Sequence, residues 1–68
     1  MNDLAIGGMP LGGMCEEQVA VVLRLATNAE VEYDRVGRTD LASQCMVLRN
    51  RARDALEALI EARELDGE

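Results

Sequence analysis

The sequence predicts an all-α protein: an antiparallel hairpin of two long helices that dimerises into a four-helix bundle. Three observations carry this. Cys15, Val19, Val22, Ala26, Ala29, Tyr33 and Val36 recur at alternating spacings of four and three, and Leu41, Cys45, Leu48, Ala52, Ala55, Leu59 and Ala62 repeat that rhythm. Each stripe is the seam of a helix that buries one face against another helix. Between them the spacing slips to five around Gly37, whereas one unbroken helix would need four and would put Asp40 in the seam. The chain therefore turns there.

Residues 1–14 read as a flexible Gly/Met-rich arm, because Gly7, Gly8, Gly12 and Gly13 oppose helix and Pro10 lacks a backbone donor. The arm is also apolar. Met9, Leu11 and Met14 make it a candidate docking peptide for a groove on this chain or on a partner. The hairpin spans 15–65. Its first helix covers about 15–36, with Glu16 and Glu17 in the first turn where carboxylates suit the positive end of the helix dipole. The turn occupies 37–40, with Gly37 in the left-handed position and Thr39 or Asp40 available to cap the second helix. That helix covers about 40–65, and residues 66–68 form an acidic tail.

Tyr33, Gly37, Ala42 and Met46 fall at offsets that resemble the tyrosine, glycine, alanine and large apolar positions of a tetratricopeptide repeat. The resemblance covers about one repeat, where stacking needs about three. It breaks at Glu30, Arg49 and Asp54, where a small residue, alanine and proline are usual. It supports the helical turn and implies no membership of that family.

Two registers are open to the hairpin. One levels Val22 with Ala52, Ala26 with Leu48, Ala29 with Cys45 and Tyr33 with Leu41, so that large side chains meet small ones. The other stacks alanine on alanine but aligns Glu16 with Arg63, Leu23 with Leu56 and Glu30 with Arg49. Exposed ion pairs contribute only about 0 to 1 kcal/mol each, less than badly filled layers cost, so the first register is expected.

At 68 residues the chain lies near the lower limit for a self-sufficient core, and the alanines of its middle layers bury little. Further apolar residues lie off the seam. Helical periodicity places Leu23, Met46, Leu56 and Ile60, with Ala20 and Ala42, along one side of the hairpin; Leu25 and Val47, with Val21 and Leu65, lie along the other. A row of exposed apolar side chains marks an interface. The first side is expected to form a homodimer and the second to meet a different protein partner.

The formal net charge of -6 opposes general nucleic-acid binding, in which phosphate neutralisation dominates. Arg49, Arg51 and Arg53, with Arg35 and Arg38 across the turn, form a positive belt in which Arg49 and Arg53 are candidate anion contacts. Pairs such as Arg53 with Glu57 are expected to occupy much of that charge. No histidine is present, which removes the commonest general base and metal ligand. Cys15 and Cys45 sit on the seams, where they read as small core residues, and at opposite ends of the hairpin they are too far apart for a disulfide. The acidic residues Glu57, Glu61, Glu64, Asp66 and Glu68 lack calcium-loop spacing. No catalytic residue, metal or cofactor is expected. The start has no basic segment ahead of an apolar one, and no run approaches the ~20 apolar residues of a membrane span. Reduced cysteines suit a cytoplasmic setting. The function expected is that of a non-enzymatic protein-interaction module; the alternative is a nucleic-acid-associated regulator that uses the arginine belt.

Overall fold

The computed structural model describes residues 6–66, so Leu4 and the rest of residues 1–5, and Gly67 and Glu68 of the tail, lie outside the described residues. A single 3-10 turn, Ile6–Gly8, precedes two α-helices, α1 (Glu16–Arg35, 20 residues) and α2 (Thr39–Asp66, 28 residues). The two helices lie against each other as a hairpin with extents of 47 × 26 × 13 Å. The long dimension is set by α2, whose residues at 1.5 Å each span about 42 Å.

α1 starts one residue later than its seam suggests. Cys15 is the residue before the helix, in extended conformation, and its N–H donates to Gln18 Oε1 at 3.0 Å. This local bond satisfies a donor that no preceding turn could take up. It also leaves Cys15 exposed, so that residue is a helix boundary and not part of the core.

The return at Gly37 is fixed by backbone hydrogen bonding. Gly37 takes φ +83°, its N–H donates to Asp34 O at 3.2 Å, and the Arg38 N–H reaches back to Tyr33 O at 2.8 Å. That paired closure is the Schellman arrangement, which needs a residue free to adopt the left-handed conformation. Val36, expected in the seam, is the cap of α1 and lies 68% exposed, because the chain has already begun to turn away from α2.

The turn closes sooner than expected. The Ala42 N–H donates to Arg38 O at 2.9 Å, so Arg38 is the residue that opens α2, and neither Thr39 nor Asp40 is its cap. Asp40 instead lies in the first turn, where both carboxylate oxygens accept from the Arg38 guanidinium at 3.2 Å. This pairing, followed by the Leu41 amide, holds the Asp40 carboxyl below the usual carboxylate range.

The core is narrow. Its buried members are Val19 and Ala26 from α1 and Ala42, Cys45, Leu48 and Ala52 from α2. All but Ala42 belong to the two seams; Ala42, assigned to the outer side by periodicity, is turned inward. Towards the open end α2 outruns the shorter helix. Residues 61–65 are all exposed, including Ala62 of the expected seam, because no turn of α1 is left to cover them.

Gly37→Ala should lower the urea midpoint by an amount equivalent to about 1 kcal/mol with an unchanged slope, since a Cβ there meets no atom and only the backbone is strained. For Asp40, a folded value below the unfolded one means that the Arg38 pair stabilises above the ordinary carboxylate range and ceases to do so as pH falls through the lowered value. Arg38→Ala should therefore move the Asp40 midpoint upward in an NMR titration.

Candidate interaction surfaces

The two long sides of the hairpin are built differently. On one, Glu16, Leu23 and Glu30 stand seven residues apart along α1, and Arg49, Leu56 and Arg63 do so along α2. Each set is a row on one helix face. Two ion pairs join the rows: Glu30 with Arg49, and Glu16 with Arg63 at 3.0 Å. Leu23 and Leu56 lie between the bridges, both half-buried. Ile60, four residues beyond Leu56, is also half-buried, and Met46, three before Arg49, is 40% exposed. Met46 and Ile60 stand fourteen residues apart on α2, about 21 Å, so the four apolar residues singled out on this side are spread along it.

Both ion pairs that only the second register aligned are formed. The two criteria prove compatible: Ala26, Ala29, Cys45 and Leu48, which belong to the layers of large against small, line one common cavity while both ion pairs form. Helical side chains lean towards the N-terminus of their own helix. In an antiparallel pair, glutamates on α1 therefore lean to the open end while arginines on α2 lean to the turn. A long arginine spans the offset that remains.

On the opposite side the arm is seated against α2. The Ile6 N–H donates to Gln44 Oε1 at 2.8 Å, and Arg51 Nη1 donates to Gly7 O at 2.7 Å and Met9 O at 2.9 Å. A Cβ on Gly7 would stand 3.3 Å from Val47 Cβ and Cγ1 and 3.4 Å from Gln44 O. Residues 6–9, within the arm read as flexible, thus lie along the hairpin through three hydrogen bonds. Arg51 supplies the bonds that a proline- and glycine-rich segment cannot make within itself. Val47, assigned to a surface for another protein, lies partly beneath this arm, whereas Leu25 is 60% exposed. Leu11 and Met14 are half-buried where the chain turns into α1, around Gly13 at φ +86°.

Between arm and helices lies an apolar cavity of about 180 Å³. Ile6 and Met9 contribute from the arm, Leu25 and Ala29 from α1, and Cys45 and Leu48 from α2, with Tyr33 at its edge. The Cys45 side chain is 1% exposed, and burial first, then the Glu30 carboxylate, pushes its thiol pKa up. A thiol held protonated is a weak nucleophile.

The arginine belt is largely occupied from within. Arg49, a candidate anion contact, is paired with Glu30 across the hairpin. Arg51 holds the arm, Arg38 holds Asp40, and Arg35 lies 3.5 Å from Glu32. Arg53 is exposed, and Glu57 does not close the pair expected with it. Among the described residues no group of three or more potential ligands could hold a metal ion, and no helix is long and apolar enough to cross a membrane.

Gln44 was not singled out by sequence reasoning, and Arg51 was read only as one member of the arginine belt. The available signal was their spacing: Gln44, Val47 and Arg51 fall on one face of α2, an acceptor, an apolar surface and a donor in line. No family model matches this sequence, and no curated protein or solved structure is significantly similar to it.

Glu30→Arg and Arg49→Glu, made singly, should each destabilise the hairpin in urea unfolding, and the double exchange should recover a coupling of about 1 kcal/mol. Zero coupling would mean that the bridge contributes nothing to the pairing of the helices.

Proposed function

We propose that this chain is a non-enzymatic protein-interaction module, a small acidic helical hairpin that self-associates as a homodimer and modulates another protein as an inhibitor, adaptor or chaperone-like factor. The observation that carries the reading is the strip on the ion-paired side, where Leu23 and Leu56 sit between two acid–arginine bridges with Ile60 and Met46 alongside.

That strip is self-complementary in one orientation. A two-fold axis parallel to the helices sets the acidic row of α1 against the basic row of α2 in the copy, so every carboxylate gains a second guanidinium nearby. An axis across the helices would set acid on acid. The favoured arrangement is a four-helix bundle with both turns at the same end, its apolar centre formed by the leucines and isoleucine. A thin core of alanines, cysteine and valine gives such a hairpin reason to bury more apolar surface against a copy.

Leu25, Val21 and Leu65 lie away from this strip and are among the most exposed large apolar residues, which supports a second protein as partner for that side. Helix-in-groove contacts draw on apolar positions of this spacing. The nucleic-acid alternative gains nothing from the geometry, because Arg49 and Arg51 are engaged by partners inside the chain.

Leu23→Asp combined with Ile60→Asp should sediment as a smaller species than the unmodified chain, with helical circular dichroism retained. An unchanged assembly state in that variant excludes this face.

A further inference from the structure

The arm contacts α2 almost entirely through its main chain. All three hydrogen bonds described between them involve backbone groups of the arm: the Ile6 N–H accepted by Gln44, and the Gly7 and Met9 carbonyls reached by Arg51. The residue between the first two contacts must be small, since even a Cβ on Gly7 presses on Val47. Valine on a helix has little rotamer freedom with which to retreat. The apolar side chains flanking that glycine, Ile6 and Met9, border the cavity. What α2 reads is thus a pattern, an apolar residue, glycine, any residue and an apolar residue, and not a set of polar side chains peculiar to this arm.

The seat is incompletely filled. With the arm in place, an apolar pocket of about 180 Å³, open to solvent beside the exposed Leu25, remains between it and the helices. This sequence contains no phenylalanine or tryptophan with which to occupy that space. A segment from another chain that carried an aromatic ring where the arm carries Met9 would make the same backbone bonds and bury more apolar surface.

We propose that Gln44, Val47 and Arg51, with the cavity beside them, form a receptor for a short apolar, glycine-bearing segment of a partner protein, and that the arm is its resting occupant. The proposal rests on the reading of the chain as an interaction module and names the chemistry of what one side of it takes. Tethering gives the arm an effective concentration of millimolar order, so it holds the site until a segment that fills the cavity displaces it. The Leu23–Leu56 strip lies on the other side and is free to serve self-association at the same time.

Cys45 reports on the seat, because its thiol lines the cavity at 1% exposure, while Cys15 is exposed and serves as the internal reference. The two cysteines fall on different peptides after cleavage at arginine, so their alkylation by iodoacetamide can be followed separately by mass spectrometry. In the full-length chain, Gly7→Val should unseat the arm and raise the Cys45 rate by about tenfold relative to Cys15, with helical circular dichroism unchanged. Arg51→Ala removes the clasp from the other partner and should do the same. A synthetic peptide of residues 6–11 at millimolar concentration should restore protection to the Gly7→Val protein. The peptide bearing Met9→Phe should do so at lower concentration, and the peptide bearing Gly7→Val should not.

Equal Cys45 rates in the unmodified protein and both variants overturn the proposal, as does a failure of the first two peptides to protect. Sedimentation of the same samples separates this from the reading of self-association: equal Cys45 rates in a chain that still sediments as a dimer overturn the receptor alone, and raised Cys45 rates in a chain that sediments as a monomer overturn self-association alone.

Discussion

Everything in this fold depends on how little the two helices place between them. The enclosed positions are held by Val19, Ala26, Cys45, Leu48 and Ala52, with Ala42 at the margin. Small side chains let the helix axes approach closely, but each removes little apolar surface from water, and burial is what offsets the entropy of ordering a chain. A hairpin with such a seam must gain stability at its perimeter. It does so by two unlike means, and the two sides of the molecule differ in character as a result.

On one side the gain is ionic and symmetric, with glutamates on α1 meeting arginines on α2 one heptad either side of the leucines. On the other it is asymmetric, a guanidinium and a side-chain amide gripping the main chain of a segment with no regular structure beyond one 3-10 turn. Both uses suit arginine better than lysine, since a planar fork can address two acceptors at once. Arg38 does so with the two oxygens of Asp40, through Nε and Nη2, while Arg51 reaches the carbonyls of Gly7 and Met9 from Nη1 alone. Positive charge in this acidic chain is therefore mostly structural, which is why a belt evident along the sequence presents much less free charge on the surface.

The helices and their antiparallel return were legible because heptad periodicity and a left-handed glycine are local signals. Val19, Ala26, Cys45, Leu48 and Ala52 are buried where the spacing places them. The seam failed at its ends, at Cys15, Val36 and Ala62, where periodicity continues but the neighbouring helix does not. The residues of the ion-paired strip were legible for the same reason that the seam was. What set them in conflict with the packing was a view of side chains as projecting straight out, and the lean of helical side chains resolves it. The arm was not legible, because its order comes from Gln44 and Arg51, some forty residues further along, and no local pattern encodes a contact between a main chain and a distant side chain.

The seating of the arm also decides where the molecule can be handled. Ile6 is held beside Gln44, within the first two turns of α2, so a fluorophore attached at that residue sits on the flank of the rod, next to the cavity. Asp66 ends α2 beyond the turns that α1 covers, at the far end of the rod from that contact. An attachment at the first position obstructs the surface one wishes to probe, and one at the second leaves it open.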